Sequence, residues 1–451
     1  MTSTITHADG TPTIEFIFHG TGTSSSVPNI ACITAEPVTC ETCGSTLTPK
    51  GWKNKRRNTG GILRILGENQ TSKVIVIDVG KTFLSAAYDL FPRYGLRQID
   101  AVILTHPHAD AVNGLDDLRG WTLNKSIQSH IDVYVSAFTF KEVQKSFPYL
   151  VAKEFATGGG DIPEFRWHII KENEPFRVDG VDFDITPIVV HHGRLFTTGT
   201  EGPGNVSTPN DTPIPSGTAT PARAVPNSTA HDSSRPVSRG SSVEIIEQRA
   251  TTAVDALNTN AVNSSIKQKP TIIEKLPPSN HAPVTKPKPY LCFGFIFGDF
   301  MVYMSDVSHI PEDAWKTIQS RSPASLSLNG SGSGHEISTQ ARYKVLVVDC
   351  LKLEPHTSHF GLQGALDAAK QINAHRTYMV GFSHRITHDD WDTIGEYIEG
   401  KNLDDVQLKR PNVAQALRIL PPPGEETVWI RPAFDGLRLF GNKGAVWEDV
   451  L

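Results

Sequence analysis

The segment THPHAD, residues 105–110, contains two histidines and a carboxylate at a spacing that suits a metal ion. Side chains alternate along extended backbone, so His106 and His108 can point the same way, with Asp110 following in the adjoining turn. A histidine pair of this kind is more often a surface or core feature than a pair of ligands. The segment alone therefore raises a metal site as a hypothesis and leaves the structural alternative open.

Three of the five cysteines, Cys32, Cys40 and Cys43, are crowded near the amino terminus. An odd number of cysteines in a large chain argues against a disulfide framework, and the two-residue gap in CETC favours metal binding over burial. Cys292 and Cys350 lie instead in the apolar runs YLCFGF and VLVVDC, which favours a buried role for both thiols. The cysteine cluster is thus a second candidate metal site.

Short apolar runs that are typical of buried strands precede the candidate ligands. KVIVIDVG and AVILTH end abruptly in polar residues, and the helical pattern FLSAAYDLF lies between them. Similar runs recur later as FDITPIVVHH, YLCFGFIF, FMVYMSD, YKVLVVDC and TYMVGFSH. This alternation predicts an α/β fold in which the Asp and His side chains at strand ends gather at one edge of a sheet.

Two segments have compositions that do not support a packed core. Residues 198–288 are rich in Ser, Thr, Pro, Asn and Ala and contain no Phe, Trp or Tyr, which predicts a long disordered insertion. Residues 321–336 have the composition of a flexible Gly/Ser loop. We expect one large domain over residues 12–450 that these two segments interrupt.

The charge and the terminal sequence limit the classes of partner. A formal net charge of -5 gives no overall attraction to nucleic acid, so phosphate binding needs a local cation cluster. The best candidate is KNKRR at residues 53–57, with a solvated basic loop as the alternative. Neither a secretory signal nor a membrane span is evident, so we expect a soluble cytoplasmic protein without a membrane partner, and the nucleus is the alternative compartment. The sequence leaves open whether the protein forms a homodimer.

Seven motifs, in their order and spacing, resemble those of the metallo-β-lactamase superfamily. Within it, the chain is similar to phosphodiesterases related to the carbon-phosphorus lyase accessory phosphodiesterase and, more distantly, to tRNA 3′-processing endonucleases. The motifs are GTGTSSSVP, the cysteine cluster with KNKRRNT, IDVG, THPHADAVNGLDDLR, TPIVVHHG, YMSDVSHIPE, and HTSHFGLQGAL with the later GFSH. The resemblance covers nearly all of the predicted core and implies a four-layer αβ/βα sandwich.

The resemblance also implies a set of catalytic metal ligands. His106, His108 and His192 match the histidines of the first metal, and Asp306 matches the carboxylate that bridges two metals. His192 is favoured over its neighbour His191 because the superfamily pattern is His-Gly. Three imidazoles and a carboxylate suit Zn²⁺, with Mn²⁺ as the alternative.

The sequence departs from the superfamily pattern at the second metal, to which Asp110 would ordinarily bind. Ala111 stands where a histidine is usual, and Gly381 stands where the carboxyl-terminal motif usually supplies another ligand. Neither residue can coordinate a metal. We therefore expect one catalytic ion, with Asp110 positioning the attacking water. Whether His388 replaces one of the missing ligands is left open.

A structural zinc site is implied by the same resemblance. In the resembling phosphodiesterases, the later histidine of the carboxyl-terminal motif joins the cysteine cluster around this ion. The corresponding tetrahedral set is Cys32, Cys40, Cys43 and His384. Cys32 is its weakest member, because the cysteine spacing differs from the tighter cluster of the superfamily.

The proton donor is expected in EPHTSHFGLQGAL, where the resembling phosphodiesterases keep a catalytic histidine. His356 and His359 are the candidates, and His359 is favoured because it directly precedes a helical pattern whose amino end favours negative charge. A helix-capping role is the alternative for His359. Asp78 in IDVG is expected to brace the metal loop through hydrogen bonds without binding metal.

Together these features predict a metal-dependent hydrolase in which a metal-bound hydroxide attacks a small phosphodiester, with cyclic nucleotide phosphates among the candidate substrates. An RNA-processing nuclease is the alternative enzyme, and it is disfavoured because residues 198–288 lack aromatic residues and a sustained basic run. The losses at Ala111 and Gly381 support a third hypothesis, a catalytically impaired fold that acts as a binding or scaffold protein.

Overall fold

The computed structural model of the chain describes residues 14–66, 72–158, 161–195, 288–323, 343–422, 427–441 and 446–449. All of them belong to one compact unit. The predicted insertion at 198–288 and the predicted loop at 321–336 lie outside the described residues, except for 288 and 321–323. None of the described helices is long and apolar enough to cross a bilayer.

Two β-sheets form the centre of the described structure. Their strands are β1 (Ile14–Gly20), β2 (Gly60–Leu66), β3 (Ser72–Ile77), β4 (Ala101–Ile103), β5 (Ile131–Ser136), β6 (Phe165–Ile170), β7 (Ile185–Arg194), β8 (Pro289–Phe297), β9 (Met301–Met304), β10 (Val345–Asp349), β11 (Arg376–Val380), β12 (Ile430–Pro432), β13 (Arg438–Gly441) and β14 (Val446–Asp449). One sheet has eight strands in the order β14-β13-β1-β2-β3-β4-β5-β6, and the other has six in the order β12-β11-β10-β9-β8-β7.

Helices cover the outer faces of both sheets. They are α1 (Ile30–Ile33), α2 (Glu41–Ser45), α3 (Phe83–Tyr94), α4 (Ala109–Val112), α5 (Arg119–Thr122), α6 (Ala137–Ser146), α7 (Pro148–Val151), α8 (Glu312–Ser320), α9 (Leu362–Ile372), α10 (His388–Ile398), α11 (Asp405–Leu408) and α12 (Pro411–Ile419). Short 3₁₀ helices span Pro49–Asn54, Asp116–Leu118, Leu123–Lys125 and Lys153–Phe155.

Apolar side chains fill the space between successive layers. The inner faces of the two sheets meet through large buried residues that include Phe16, Phe18, Tyr303, Val347 and Tyr378. A second core joins α3 to the eight-stranded sheet, and a third joins α8, α9, α10 and α12 to the six-stranded sheet. Each fully buried large apolar side chain stabilises the fold by about 1.5–3 kcal/mol. The predicted four-layer αβ/βα sandwich is therefore confirmed.

The parallel strands bring several polar strand ends to the same edge of each sheet. In the larger sheet β3 and β4 are parallel with Ile77 beside Ile103, so the residues that follow them lie close together. In the smaller sheet β9, β10 and β11 are parallel, and Asp349 pairs with Val380. Loops that leave the carboxyl ends of parallel strands are where α/β proteins assemble their sites.

Two of the acidic residues at these edges, Asp78 and Asp306, have left-handed backbone conformations. Asp78 has a φ of 60° and Asp306 a φ of 53°, both in the left-handed region that L-residues seldom adopt. Asp and Asn tolerate this region better than other side chains apart from Gly. The sharp turns after β3 and β9 therefore suit the acidic residues found there.

Gly80 allows the turn after β3 to pack directly against the THPHAD loop. A Cβ atom at position 80 would lie 1.8 Å from the carbonyl oxygen of Asp110. The neighbouring backbone is joined by a hydrogen bond of 2.8 Å from the amide of Val79 to the carbonyl of Ala111. The close approach of the two loops thus depends on the missing side chain.

We expect Gly80→Ala to lower the free energy of unfolding by about 2 kcal/mol, because the added methyl group forces the two loops apart. Gly120→Ala is the matched control: a Cβ there has no neighbour within 4 Å, and the residue lies in α5. Its stability should be unchanged or higher by up to about 1 kcal/mol. Chemical denaturation measures both, and equal losses in the two variants would contradict this account of Gly80.

Candidate metal centre

His106, which follows β4, has its ring oriented by a chain of buried hydrogen bonds. Oγ1 of Thr105 donates to Oδ2 of Asp78 at 2.7 Å and lies 2.8 Å from Nδ1 of His106. Because the hydroxyl gives its single proton to Asp78, it accepts from Nδ1 of His106, which leaves a lone pair on Nε2. Nε2 is buried and makes no aligned hydrogen bond. Such a nitrogen is costly to bury unless a cation binds it.

His192 is aimed into the same centre by an irregularity in β7. The register of β7 with β8 shifts between His191 and Arg194, which is the effect of a β-bulge. Nδ1 of His192 donates to the carbonyl oxygen of Ser358 at 2.8 Å, so Nε2 keeps the lone pair of the neutral ring. Nε2 lies 3.2 Å from Nδ1 of His108. Two ring nitrogens therefore converge on one point.

The separation and protonation of these nitrogens fit a metal ion. Burial lowers the pKa of both His108 and His192 to about 4, so the two rings are neutral at neutral pH. Ligand nitrogens at about 2.05 Å from a tetrahedral zinc ion are about 3.3 Å apart. The observed 3.2 Å agrees with this geometry.

Asp306 completes the donor set from the turn after β9. Its Oδ2 lies 3.1 Å from Nε2 of His106. Burial opposes its ionisation, but contact with His106 holds the pKa of Asp306 well below its usual range. The ligand atoms of His106, His108 and His192 lie within 4.8 Å of one another, and so do those of His106, Asp110 and Asp306. Three imidazoles and a carboxylate suit zinc, with manganese as the alternative.

The side of the centre next to Asp110 is poor in further donors. Burial and the charge of Asp306 both raise the pKa of Asp110. Ala111 contributes only a backbone carbonyl, which is bonded to the turn after β3. Gly381 has a φ of 77°, and a Cβ there would lie 2.4 Å from Oδ1 of Asp349. No described side chain takes the place of the histidine missing at Ala111, whereas Oδ1 of Asp349 lies where a side chain at position 381 would be. The ligand atoms of Asp306, Asp349 and His359 also lie within 4.8 Å of one another.

Two further histidines considered as ligands lie away from the centre. The ring of His388 packs against Phe434 at a centroid distance of 5.4 Å, and its amide donates to Asn54. His191 lies beside His309, with 5.0 Å between the ring centroids. Neither belongs to a cluster of possible ligands among the described residues. His388 therefore does not replace a missing ligand in this structure.

His359 forms a buried pair with Asp349 at the edge of the metal centre. Nδ1 of His359 donates to Oδ2 of Asp349 at 2.7 Å, and the amide of Val307 donates to the same oxygen at 2.9 Å. The ring centroid of His359 lies 4.9 Å from that of His192. Burial alone would lower the pKa of His359, but Asp349 and the more distant carboxylates raise it to about 9. The ring is thus protonated at neutral pH and able to donate from Nε2.

His356, the other candidate proton donor, occupies the outer part of the same loop. Its side chain is exposed, and its Nδ1 lies 3.0 Å from Oγ of Ser358. Its ring centroid is 5.8 Å from that of His359. His359 is therefore the better placed of the two.

The cysteine cluster and His384 meet at a second, separate site. The ligand atoms of Cys32, Cys40, Cys43 and His384 all lie within 4.8 Å of one another. Nδ1 of His384 is 3.4 Å from Sγ of Cys32 and 3.5 Å from Sγ of Cys40. A tetrahedral zinc ion with these ligands separates sulfur and nitrogen by about 3.6 Å. The amide of Asn29 also donates to Sγ of Cys43 at 3.2 Å, which is a contact that stabilises a thiolate.

The basic run KNKRR is not a free cation cluster. Arg56 is buried and donates to the carbonyls of Ser383 and Ile386 at 2.5 and 2.9 Å, on either side of His384. Arg57 forms an ion pair with Asp89 at 3.5 Å. Both arginines are thus engaged within the fold, and Arg56 supports the turn that carries His384.

Asp349 and Tyr290 are two residues at the centre that the sequence analysis did not single out. Asp349 ends the apolar run VLVVD, and Asp78 and Asp306 also follow apolar runs, but the family resemblance drew attention only to the latter two. Tyr290 stacks on His108 with 4.6 Å between the ring centroids. No signal in the sequence of YLCFGFIF identifies that contact.

Comparison with known proteins found a matching family model and solved structures that are similar to this chain. Residues 73–207 match the family model of the β-lactamase superfamily domain. A crystal structure of a diphosphatase from the PhnP family is 18% identical with a TM-score of 0.52, over 95% of this chain and 98% of that one. The metallo-β-lactamase fold protein YhfI from Bacillus subtilis is 12% identical with a TM-score of 0.45, over 96% of this chain and 100% of that one.

A curated relative shares sequence with part of the chain. An octanoyltransferase from Porphyromonas gingivalis is 31% identical over 179 residues, which are 40% of this chain and 31% of that protein. The chain thus spans about a third of the length of this relative. Residues 73–207 thus match a β-lactamase superfamily domain, and the described residues have the metallo-β-lactamase fold.

Proposed function

We propose that the chain is a metal-dependent hydrolase that cleaves a small phosphodiester. The observation that carries the proposal is the position of the His359–Asp349 pair, whose imidazole lies 4.9 Å from the ring of His192. Hydrolysis of a phosphate ester needs an activated water and a proton for the leaving oxygen, and a cation site beside a proton donor supplies both. The similar fold of a diphosphatase from the PhnP family supports a phosphate ester as the substrate.

Each residue of the centre has a chemical role in this proposal. When bound by the three histidines and Asp306, a divalent cation would supply a more acidic water and an electrophile for the phosphoryl oxygen. Asp110 orients the attacking water and accepts its proton. His359 donates a proton to the leaving oxygen, and Asp349 fixes its ring and keeps it charged.

A purely structural role for this centre explains the geometry less well. Nε2 of His106 is buried without a hydrogen-bond partner, and Nε2 of His192 and Nδ1 of His108 lie 3.2 Å apart, at the separation of two ligands of one ion. Burial of unpaired polar groups costs about 1–3 kcal/mol each, and a scaffold gains nothing in return. The centre is therefore better explained by metal binding than by a scaffold function.

Three substrates separate the candidate functions. We expect hydrolysis of bis-para-nitrophenyl phosphate and of a 2′,3′-cyclic nucleotide, and much slower cleavage of a structured RNA, because the two arginines of KNKRR are engaged in the fold. His106→Ala should abolish the activity. Activity that survives this substitution would exclude the metal centre as the active site. Cleavage of the RNA that is faster than hydrolysis of the two small phosphodiesters would favour the nuclease. An intact fold with bound metal and no hydrolysis of any substrate would favour the scaffold.

The role of His359 predicts a dependence on the leaving group. Without its proton donor, the enzyme should lose about 10²–10⁴-fold in rate on an alkyl phosphodiester, whose alkoxide must be protonated. The loss on a para-nitrophenyl ester should be much smaller, because that anion leaves unaided. Kinetics of His359→Ala on both substrates measure the difference. His356→Ala is the matched control and should affect neither; equal losses on both substrates would contradict a proton-donor role.

Metal analysis of the purified protein tests the two sites separately. We expect about one ion at the catalytic centre and one at the cysteine site, because Ala111 offers no side chain to a second catalytic ion and Asp349 is hydrogen-bonded to His359. His192→Ala should remove the first ion, and Cys43→Ser the second, while the neighbouring His191→Ala keeps both. Loss of two ions in His192→Ala would show a binuclear centre and overturn the single-ion proposal.

A further inference from the structure

We infer that Tyr290 is a positioning residue for the metal centre, because its phenol ring fixes the plane of the His108 imidazole. The two ring centroids are 4.6 Å apart, and the ring planes differ by 14°. This is a stacked arrangement, which restricts rotation of the imidazole about its Cβ–Cγ bond. The inference rests on the metal centre of the proposed function and is independent of its substrate.

His108 differs from the other two histidines in how its ring is held. His106 is held by Thr105, and His192 is held by the carbonyl oxygen of Ser358. His108 has more solvent-accessible surface than the other two histidines, although its ring is partly covered, and its Nε2 has no hydrogen-bond partner among the described residues. Histidines that bind metals usually donate their second nitrogen to a neighbour, which fixes the ring. For His108, the stacking contact with Tyr290 takes the place of that hydrogen bond.

The position of Tyr290 is itself well determined. It lies in β8, which pairs with β7 along most of its length, and the amide of Phe293 in β8 donates to the carbonyl of Thr105 at 2.9 Å. The edge of Phe138 contacts the ring of Tyr290 at a centroid distance of 5.9 Å and an angle of 76°. Strand β8 is thus tied to the segment that carries His106 and His108, and it can hold the phenol ring against the imidazole.

Two side chains of β8, Tyr290 and Cys292, contact the two histidines of the THPHAD loop. Tyr290 and Cys292 lie two residues apart in β8 and share a face of that strand, and His106 and His108 have the same separation in the loop after β4. Cys292 lies beside His106, and Tyr290 lies against His108. Strand β8 therefore supplies one contacting side chain to each of the two histidines.

The test measures metal affinity without substrate. Tyr290→Ala removes the stack, Tyr290→Phe keeps it without the hydroxyl, and Tyr290→Leu preserves apolar volume without an aromatic face. Tyr88→Ala, at a tyrosine that is 73% exposed on α3, is the control. Affinity is measured by competition with a chelator, and His192→Ala gives the background from the cysteine site. The absorption spectrum of the Co²⁺-substituted protein reports the ligand geometry.

We expect Tyr290→Ala and Tyr290→Leu to bind metal at the centre about tenfold or more weakly, with an altered Co²⁺ spectrum, as is typical when a contact that orients a ligand is lost. Tyr290→Phe and Tyr88→Ala should match the wild type. Wild-type affinity and spectrum in Tyr290→Leu would overturn the inference, and so would a Tyr290→Phe variant as weak as Tyr290→Leu. Failure of the wild type to bind any ion at the centre would instead refute the proposed function.

Discussion

The hydrogen bonds from Thr105 to Asp78 are the constraint on which the metal centre depends. Asp78 is buried at the end of β3, and burial raises its pKa to about 7. The amide and hydroxyl of Thr105 satisfy both of its carboxylate oxygens, at 2.8 and 2.7 Å. Because the hydroxyl proton goes to Asp78, Nδ1 of His106 donates to the hydroxyl oxygen, and Nε2 is the nitrogen left to bind a metal ion. Asp78, which lies outside the candidate ligand set, thus sets the orientation of the candidate ligand His106, and the pairing of β3 with β4 positions both residues.

The sequence predicts the fold well because each layer is encoded locally. The apolar runs that end in polar residues became β3, β4, β7, β8, β9, β10 and β11, and FLSAAYDLF became α3. Parallel pairing then gathers the strand ends within each sheet, so Asp78 after β3 and His106 after β4 were predictable as one group. Strands such as β2, β5 and β6 were not singled out, since their residues carry no site motif that drew attention to them.

What the sequence could not supply are contacts that depend on how elements pack. Asp349 ends its strand as Asp78 does, but only the structure shows that its carboxylate faces His359. The stack of Tyr290 on His108 depends on the register of β8 beside the THPHAD loop, which no local pattern encodes. KNKRR had the composition of a phosphate site, yet the buried Arg56 is used to support the turn around His384. Charge in a sequence does not reveal whether a guanidinium faces solvent or backbone.

The balance of charge explains how a centre with one ion can work under the proposed function. Asp110, Asp306 and Asp349 bring three carboxylates to a site in which Ala111 offers no ligand for a second cation. The proton on His359, whose pKa Asp349 helps to raise to about 9 against the effect of burial, supplies a positive charge at this edge. A protonated imidazole is weaker than a divalent ion as an electrophile, but it can give its proton to the leaving oxygen, which a metal ion cannot. Loss of the second metal's ligands is therefore compatible with catalysis, provided that His359 and Asp349 stay paired.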